Sequence, residues 1–204
     1  MATLCDSIIA QAIDFACEDL VTKGLESDGI IINRKDIDFA STVFNSSNPN
    51  IIETLVLKTG KVGYEVVQQG NTPFTGTQST LEVGTYRNTW THQIPIVVLA
   101  NSPTVAHDII DGLSNGTFVL ILRNKFKGST GDSEYQVYGY WQGLVPSEGI
   151  NDKYSDDTDG GWIITLQETG SRMSAMFLFD TDAATTEAAY EALKTEPEPE
   201  EPGE

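Results

Sequence analysis

The side chains best suited to proton transfer in this sequence are two histidines, and neither stands in a nucleophile motif. His92 falls in a polar segment that predicts a strand, and His107 falls inside a predicted helix. No serine or cysteine beside them is arranged as the known motifs of covalent catalysis require. We expect His92 to be a cross-strand neighbour and His107 to lie on a helix surface, and we predict no catalytic residue.

Two cysteines and an acidic loop are the other groups that could bind a metal ion. Cys5 and Cys17 are too far apart on one helix for a bridge, and neither the cysteine pair nor the histidine pair has the close spacing of a zinc motif. The acidic run DDTDG at 156–160 fails as a calcium loop, because Leu166 takes the position that requires a bidentate Glu. We expect the two cysteines to be reduced thiols. We expect the loop to be a solvated turn or an irregular divalent-ion site, and we predict no cofactor.

Charge and hydropathy exclude two classes of partner. The chain has 12 Lys and Arg against 30 Asp and Glu, and its net charge of −18 would repel a phosphate backbone. No apolar run approaches the roughly 20 residues that cross a bilayer, and the amino terminus lacks the pattern of a secretory signal. The sequence predicts a soluble, cytoplasmically made protein that neither grips DNA nor enters a membrane.

Three segments divide the 204 residues. Residues 1–24 have apolar side chains at helical spacing and predict an amphipathic helix ending near Lys23 and Gly24. Residues 25–180 predict one β-rich domain. Residues 181–204 are rich in Ala, Thr, Glu and Pro and predict an acidic, disordered tail, although 183–194 could form a short helix.

The periodicity of the middle segment predicts an antiparallel sheet with one helix packed on it. We expect strands over 30–39, 79–93, 118–122, 134–141, 162–167 and 173–179, and a hairpin over 51–68. Ser102 suits a helix N-cap and Pro103 the first helical position, and Val105, Ile109, Ile110 and Leu113 make an apolar stripe before Gly116. The predicted fold class is α+β, mainly antiparallel β, as a β-sandwich or barrel-like domain.

Residues 71–93 differ from the other predicted strands, because they are polar, threonine-rich and joined to a loop with Gly and Pro. Such a segment offers poor burial to an isolated domain, so we predict an arm that packs against a neighbouring subunit. Aromatic side chains anchor interfaces well, since they bury a large area with few rotors. The predicted interface residues are Phe74, Leu81, Val83, Tyr86 and Trp90.

Three stretches, TPFTGTQSTLEVGTYRNTWTHQIPIVVL at 72–99, YQVYGYWQGL at 135–144 and DTDGGWIITLQETG at 157–170, resemble a family of proteins. They are similar to virion structural proteins of tailed phages of gut Bacteroidales, crAss-like phages included, in the tail-tube, neck-ring or accessory class. The resemblance implies β-sandwich or barrel-like subunits flanked by a helix and joined around a ring. The predicted N-terminal helix and acidic tail depart from that pattern.

The function expected from this resemblance is structural. The chain would assemble with itself and with other virion subunits into a ring or tube that encloses DNA without gripping it, after synthesis in the host cytoplasm. The alternatives are a capsid-surface or accessory virion protein, a carbohydrate-binding β-sandwich, and a hydrolase that uses the acidic loop.

Overall fold

The computed structural model describes residue 13 and residues 21–195. Its strands are β1 (Leu25–Asn33), β2 (Val43–Phe44), β3 (Ile51–Thr54), β4 (Tyr64–Val67), β5 (Gln78–Glu82), β6 (Thr89–Val98), β7 (Phe118–Asn124), β8 (Tyr135–Tyr138), β9 (Val145–Ile150), β10 (Trp162–Ser171) and β11 (Met176–Leu178). The helical segments are a 3-10 turn (Arg34–Asp36), α1 (Pro103–Val105), a π-helical turn (Ala106–Ile110), α2 (Asp111–Asn115) and α3 (Ala183–Ala192). None of the described helices is long and apolar enough to cross a membrane.

Two sheets stack as a sandwich, and the predicted α+β, mainly antiparallel class is confirmed. The larger sheet has the order β2-β3-β11-β8-β7-β1-β4, and the smaller has the order β5-β6-β10-β9. Neighbours are antiparallel except β11 and β3, which run parallel. The sheets do not close into a barrel, so the sandwich alternative is the correct one.

Alternating side chains of the larger sheet supply two cores, one on each face. From β1, Ile31 faces the small sheet, where it joins Leu120, Ile94 and Ile164. Its neighbours Ile30 and Ile32 face the other way, into a second core that α3 covers. The larger sheet is therefore buried on both faces, which explains why β1 and β7 read as nearly continuous apolar runs.

The predicted helix is present, and it is capped as its sequence suggests. The Ser102 hydroxyl accepts a hydrogen bond from the Val105 N–H at 3.2 Å, and Pro103 occupies the first turn. Ile110 and Leu113 are buried between the sheets, but Ile109 is exposed. The π-helical turn at Ala106–Ile110 changes the angular spacing of the side chains, so one member of the apolar stripe turns toward solvent.

The predicted hairpin over 51–68 is wrong. β3 pairs with β2 and β11, whereas β4 pairs with β1 near the opposite edge of the same sheet. Between them Leu55 is buried in the core that α3 covers, with Leu57 packed against it. Alternation and a Thr-Gly turn signal fix neither the partner strand nor the path, and burial of this connection across the sheet outweighs local pairing.

Three further strand predictions need correction. The single strand expected over 79–93 is instead two antiparallel strands, β5 and β6, joined by a turn at 83–88. The strand expected over 30–39 ends at Asn33, where a 3-10 turn redirects the chain. β9 is not among the strands expected from the sequence, because its residues VPSEGI include Pro, Ser and Gly. It forms through pairing with β10, and its place at the sheet edge tolerates residues with low strand propensity.

The prediction of a disordered tail from residue 181 is wrong for residues 181–195, where the alternative of a short helix over 183–194 is confirmed. α3 spans Ala183–Ala192, and the Asp182 side chain caps it by accepting from the Thr185 N–H at 2.8 Å. Tyr190 and Leu193 are buried in the core. The spacing of these apolar groups on one helix face outweighs the acidic composition. Residues 196–204, and the predicted N-terminal helix before residue 21 apart from residue 13, lie outside the described residues. Residues 21–24, where that helix was expected to end, are described and are not helical.

Candidate assembly surface

A hairpin formed by β5 and β6 extends past the body of the small sheet. We call residues 78–93 the hairpin and residues 83–88 its tip. The strands are in register from Gln78 opposite Gln93 to Glu82 opposite Thr89. The next strand, β10, follows β6 only as far as Trp90. Every residue of β5 is exposed, so the end of the hairpin receives little cover from its own subunit.

The tip carries large apolar side chains in open solvent. Val83 is 83% exposed and Tyr86 is 99% exposed. The turn between them is nevertheless well defined, because the Gly84 N–H donates to Asn88 Oδ1 at 3.3 Å. A Cβ at residue 84 would lie 2.3 Å from the Arg87 carbonyl oxygen, so glycine is required there. Such a tip presents apolar area without burying it, which is typical of a contact surface.

The root of the hairpin is fixed by buried polar contacts. His92 Nδ1 lies 2.7 Å from the Ser79 hydroxyl, and its Nε2 lies 3.1 Å from the carbonyl oxygen of Met173. A neutral ring with a proton on Nε2 satisfies both contacts, since it donates to the carbonyl and accepts from the hydroxyl. His92 is thus the cross-strand neighbour that the sequence predicted, and it anchors β5 to β6.

Glu168 is a buried residue that the sequence reasoning missed. It lies opposite His92 in the register of β10 and β6. Its carboxylate accepts hydrogen bonds from the Gly139 N–H at 3.0 Å and from the Gln142 N–H at 2.8 Å. These bonds connect the small sheet to the turn after β8. Its position in the inward series with Leu166 was the available signal, because a carboxylate at a core position must find donors.

The structure separates the five predicted interface residues. Phe74 is 2% exposed and belongs to the core between the sheets, so the prediction that it contacts a neighbour is wrong. Its backbone has φ of +54°, and the turn is held by its N–H donating to Gln68 Oε1 at 3.2 Å. Trp90 is half-buried, and Leu81 pairs with it across the strands. Leu81, Val83 and Tyr86 remain exposed.

The other candidate groups stay apart from the hairpin tip. His107 is on the helix surface as predicted, and its hydrogen bond with Asp108, followed by the charge of that carboxylate, raises its pKa. Within residues 21–195, no three His, Cys, Asp or Glu side chains are grouped to hold a metal ion. In the loop at 151–161, Asp152, Asp156, Asp157 and Asp159 are exposed.

A second charged cluster lies beside the start of α3. Arg123 Nη2 and Lys127 Nζ each lie 2.8 Å from Glu134 Oε1, and Arg123 Nη1 lies 3.2 Å from Asp28. Burial would raise the pKa of Glu134, but the hydrogen bonds from Lys127 and Arg123 outweigh it and the pKa is lowered. The cluster lines a cavity of about 520 Å³ with Ala183 and Ala184, but the cations there are already paired with carboxylates.

Comparisons with protein-family models, with curated proteins and with solved structures found no match to this chain. The candidate surface is an anchored hairpin with an exposed apolar tip.

Proposed function

We propose that this chain is a structural virion subunit that assembles with copies of itself into a ring or tube around the DNA path. The observation that carries the proposal is the tip of the hairpin, where Val83 and Tyr86 extend into solvent from an anchored root. Exposed aromatic side chains on a rigid support are typical anchors of protein interfaces.

The charge of the chain supports the enclosing arrangement. A subunit around DNA has to let the polymer pass, and a net charge of −18 disfavours phosphate contacts. The sequence resemblance to phage tail and neck proteins is the reason for proposing a virion as the assembly to which the chain belongs. In this proposal the chain acts by association and not by catalysis.

Sedimentation of the full chain over a range of protein concentrations, together with electron microscopy, tests the proposal. We expect defined oligomers in the wild-type protein, with rings or stacked tubes in the images. A Val83→Ser, Tyr86→Ser double variant should shift the population to monomers. Its unfolding transition should stay unchanged, because surface substitutions typically alter stability by less than about 0.5 kcal/mol.

A matched control uses the same residue types at another exposed edge. Tyr64 and Val67 lie on β4, and both side chains are exposed. The Tyr64→Ser, Val67→Ser variant should assemble as the wild type does. A wild-type protein that stays monomeric at every concentration would contradict the proposal, and so would a hairpin variant that still forms rings. Small oligomers without rings would instead favour a capsid-surface or accessory protein.

A further inference from the structure

A row of apolar side chains crosses the outer face of the small sheet, away from the core. Ile164 and Leu166 of β10 face inward, so Ile163 faces outward by alternation. The register places Ile163 between Val97 of β6 and Ile150 of β9. We call Val97, Ile163 and Ile150 the outer row; Ile150 is 46% exposed and the other two are half-buried.

The acidic loop, residues 151–161, begins directly after the outer row and returns to it. It follows Ile150 at the end of β9 and leads into Trp162 and Ile163 of β10. It contains four aspartates and one lysine, and all four aspartates are exposed. The amino group of Lys153 lies 5.8 Å from the centre of the Trp162 ring, so this cation packs on the tryptophan that begins β10.

Tyr154 projects from the same loop, almost wholly exposed. Tyr154 therefore adds exposed apolar area to the loop that follows Ile150. The outer face at this end of the small sheet therefore combines an apolar strip with a negatively charged rim. Interfaces commonly have this composition, with an apolar centre and a polar border.

The hairpin tip has the complementary composition. Its apolar groups are Val83 and Tyr86, and Arg87 stands next to them as the one Lys or Arg of residues 78–93. Arg87 is exposed and forms no ion pair within the described part of the chain. An apolar contact flanked by an arginine fits an apolar strip flanked by aspartates.

The two surfaces lie at opposite ends of β6, so they cannot meet within one subunit. Thr89 adjoins the tip and Val97 belongs to the outer row. Eight residue steps of extended strand lead from one to the other, a distance of roughly 26 Å. Contact between such surfaces joins one copy to the next head to tail, and repetition of that contact produces rings or open filaments.

We propose that the hairpin tip of one copy docks on the outer row and acidic loop of a second copy of this chain. Tyr86 and Val83 lie on Ile150, Ile163 and Val97 of the neighbour, and Arg87 faces the aspartates of the neighbour's loop. This inference rests on the proposed function, because it names the surface that receives the hairpin.

Two variants of the receiving surface test the contact. Ile150→Asp places a charge on the apolar strip at an exposed edge position. Asp156→Lys with Asp157→Lys reverses the charge of the rim without changing a strand residue. This second variant tests the contact even if Ile150→Asp lowers the melting temperature. Each should weaken self-association about tenfold or more, the effect expected of an interface residue that contributes significantly. Glu65→Lys with Glu187→Lys, which makes the same change in net charge at exposed positions of β4 and α3, is the matched control.

Mixing defective copies decides whether the contact is head to tail. The Val83→Ser, Tyr86→Ser variant keeps its receiving surface, and Ile150→Asp, or the double lysine variant, keeps its hairpin. Each alone should be monomeric, and a mixture should give one-to-one heterodimers that grow no further. An Arg87→Glu variant should likewise regain association when mixed with the double lysine variant.

Failure of this inference differs from failure of the proposed function. If the hairpin variant is monomeric but the receiving-surface variants assemble as the wild type does, the docking site is wrong and assembly through the hairpin stands. A mixture that stays monomeric overturns head-to-tail docking in the same way. A wild-type chain that never associates overturns both.

Discussion

The C-terminal segment 181–195 and the hairpin 78–93 are both rich in polar residues, yet only the first buries apolar side chains in a hydrophobic core. In the C-terminal segment, Thr186, Tyr190 and Leu193 are spaced to share one face of α3, and all three are buried. In the hairpin the exposed groups Leu81, Val83 and Tyr86 follow a strand and its turn, with no sheet of their own subunit beneath the tip. A helix gathers a few apolar residues onto one face, whereas a two-stranded hairpin divides them between two faces.

The largest expected effect would break this comparison at α3. Tyr190→Ala should destabilise the fold by about 3 to 5 kcal/mol, as the loss of a buried aromatic side chain typically does. For a chain of this size that lowers the melting temperature by roughly 10 °C. The measurement is thermal unfolding of the variant beside the wild type.

Tyr190→Phe is the matched control for that truncation. The Tyr190 hydroxyl is buried and has no hydrogen-bond partner among the described residues, and burial raises its pKa. Its removal should therefore leave stability nearly unchanged. An Ala variant as stable as the wild type would show that α3 is peripheral, as the sequence composition suggested.

The contrast also marks how far the sequence could predict the fold. Short-range signals succeeded: Ser102 and Pro103 placed the start of a helix, and alternation indicated antiparallel strands. The prediction of strand partners failed, since β3 and β4 lie in the same sheet but do not pair with each other. The strand β9 was not predicted for the same reason, because its pairing with β10 outweighs the low strand propensity of its residues. Such information resides in tertiary contacts that a local pattern does not contain.

The candidate surface was predicted in part, by the same logic. Polarity and turn residues indicated an exposed segment, and Val83 and Tyr86 are exposed. Phe74 was misplaced, because a loop rich in Gly and Thr gives no sign that one aromatic side chain turns into the core. Glu168 was missed, because its donors come from the turn after β8, 26 and 29 residues away.

A second, smaller effect concerns the root of the hairpin. The Gly139 and Gln142 N–H groups donate to different oxygens of the Glu168 carboxylate. Glu168→Gln replaces one of these oxygens by an NH2 group, which leaves one buried donor unpaired and should destabilise the fold by about 1 to 3 kcal/mol. Self-association should stay intact, since the tip is unchanged. Chemical denaturation measures the loss, and Glu148→Gln on exposed β9 is the matched control. Equal stability of the two variants would show that Glu168 is not needed to join the sheets.

The smallest expected effect sharpens the comparison at the start of α3, where ion pairs of Glu134 rather than apolar burial contribute to stability. The lowered pKa of Glu134 means that the folded state favours the ionised carboxylate more than the unfolded state does. Its contribution is therefore fully present above the ordinary pKa of 4.5 and is lost as pH falls through the lower pKa of the folded state. Glu134→Gln should be less stable than the wild type at neutral pH, by about 1 kcal/mol for a partly solvated ion pair. The two proteins should converge in stability below pH 4.5, so melting curves from pH 7 to pH 3 give the measurement.

Glu187→Gln, an exposed neighbour on α3, should keep the wild-type pH dependence. A constant gap between Glu134→Gln and wild type across this range would show that packing, and not the charge of Glu134, accounts for its effect.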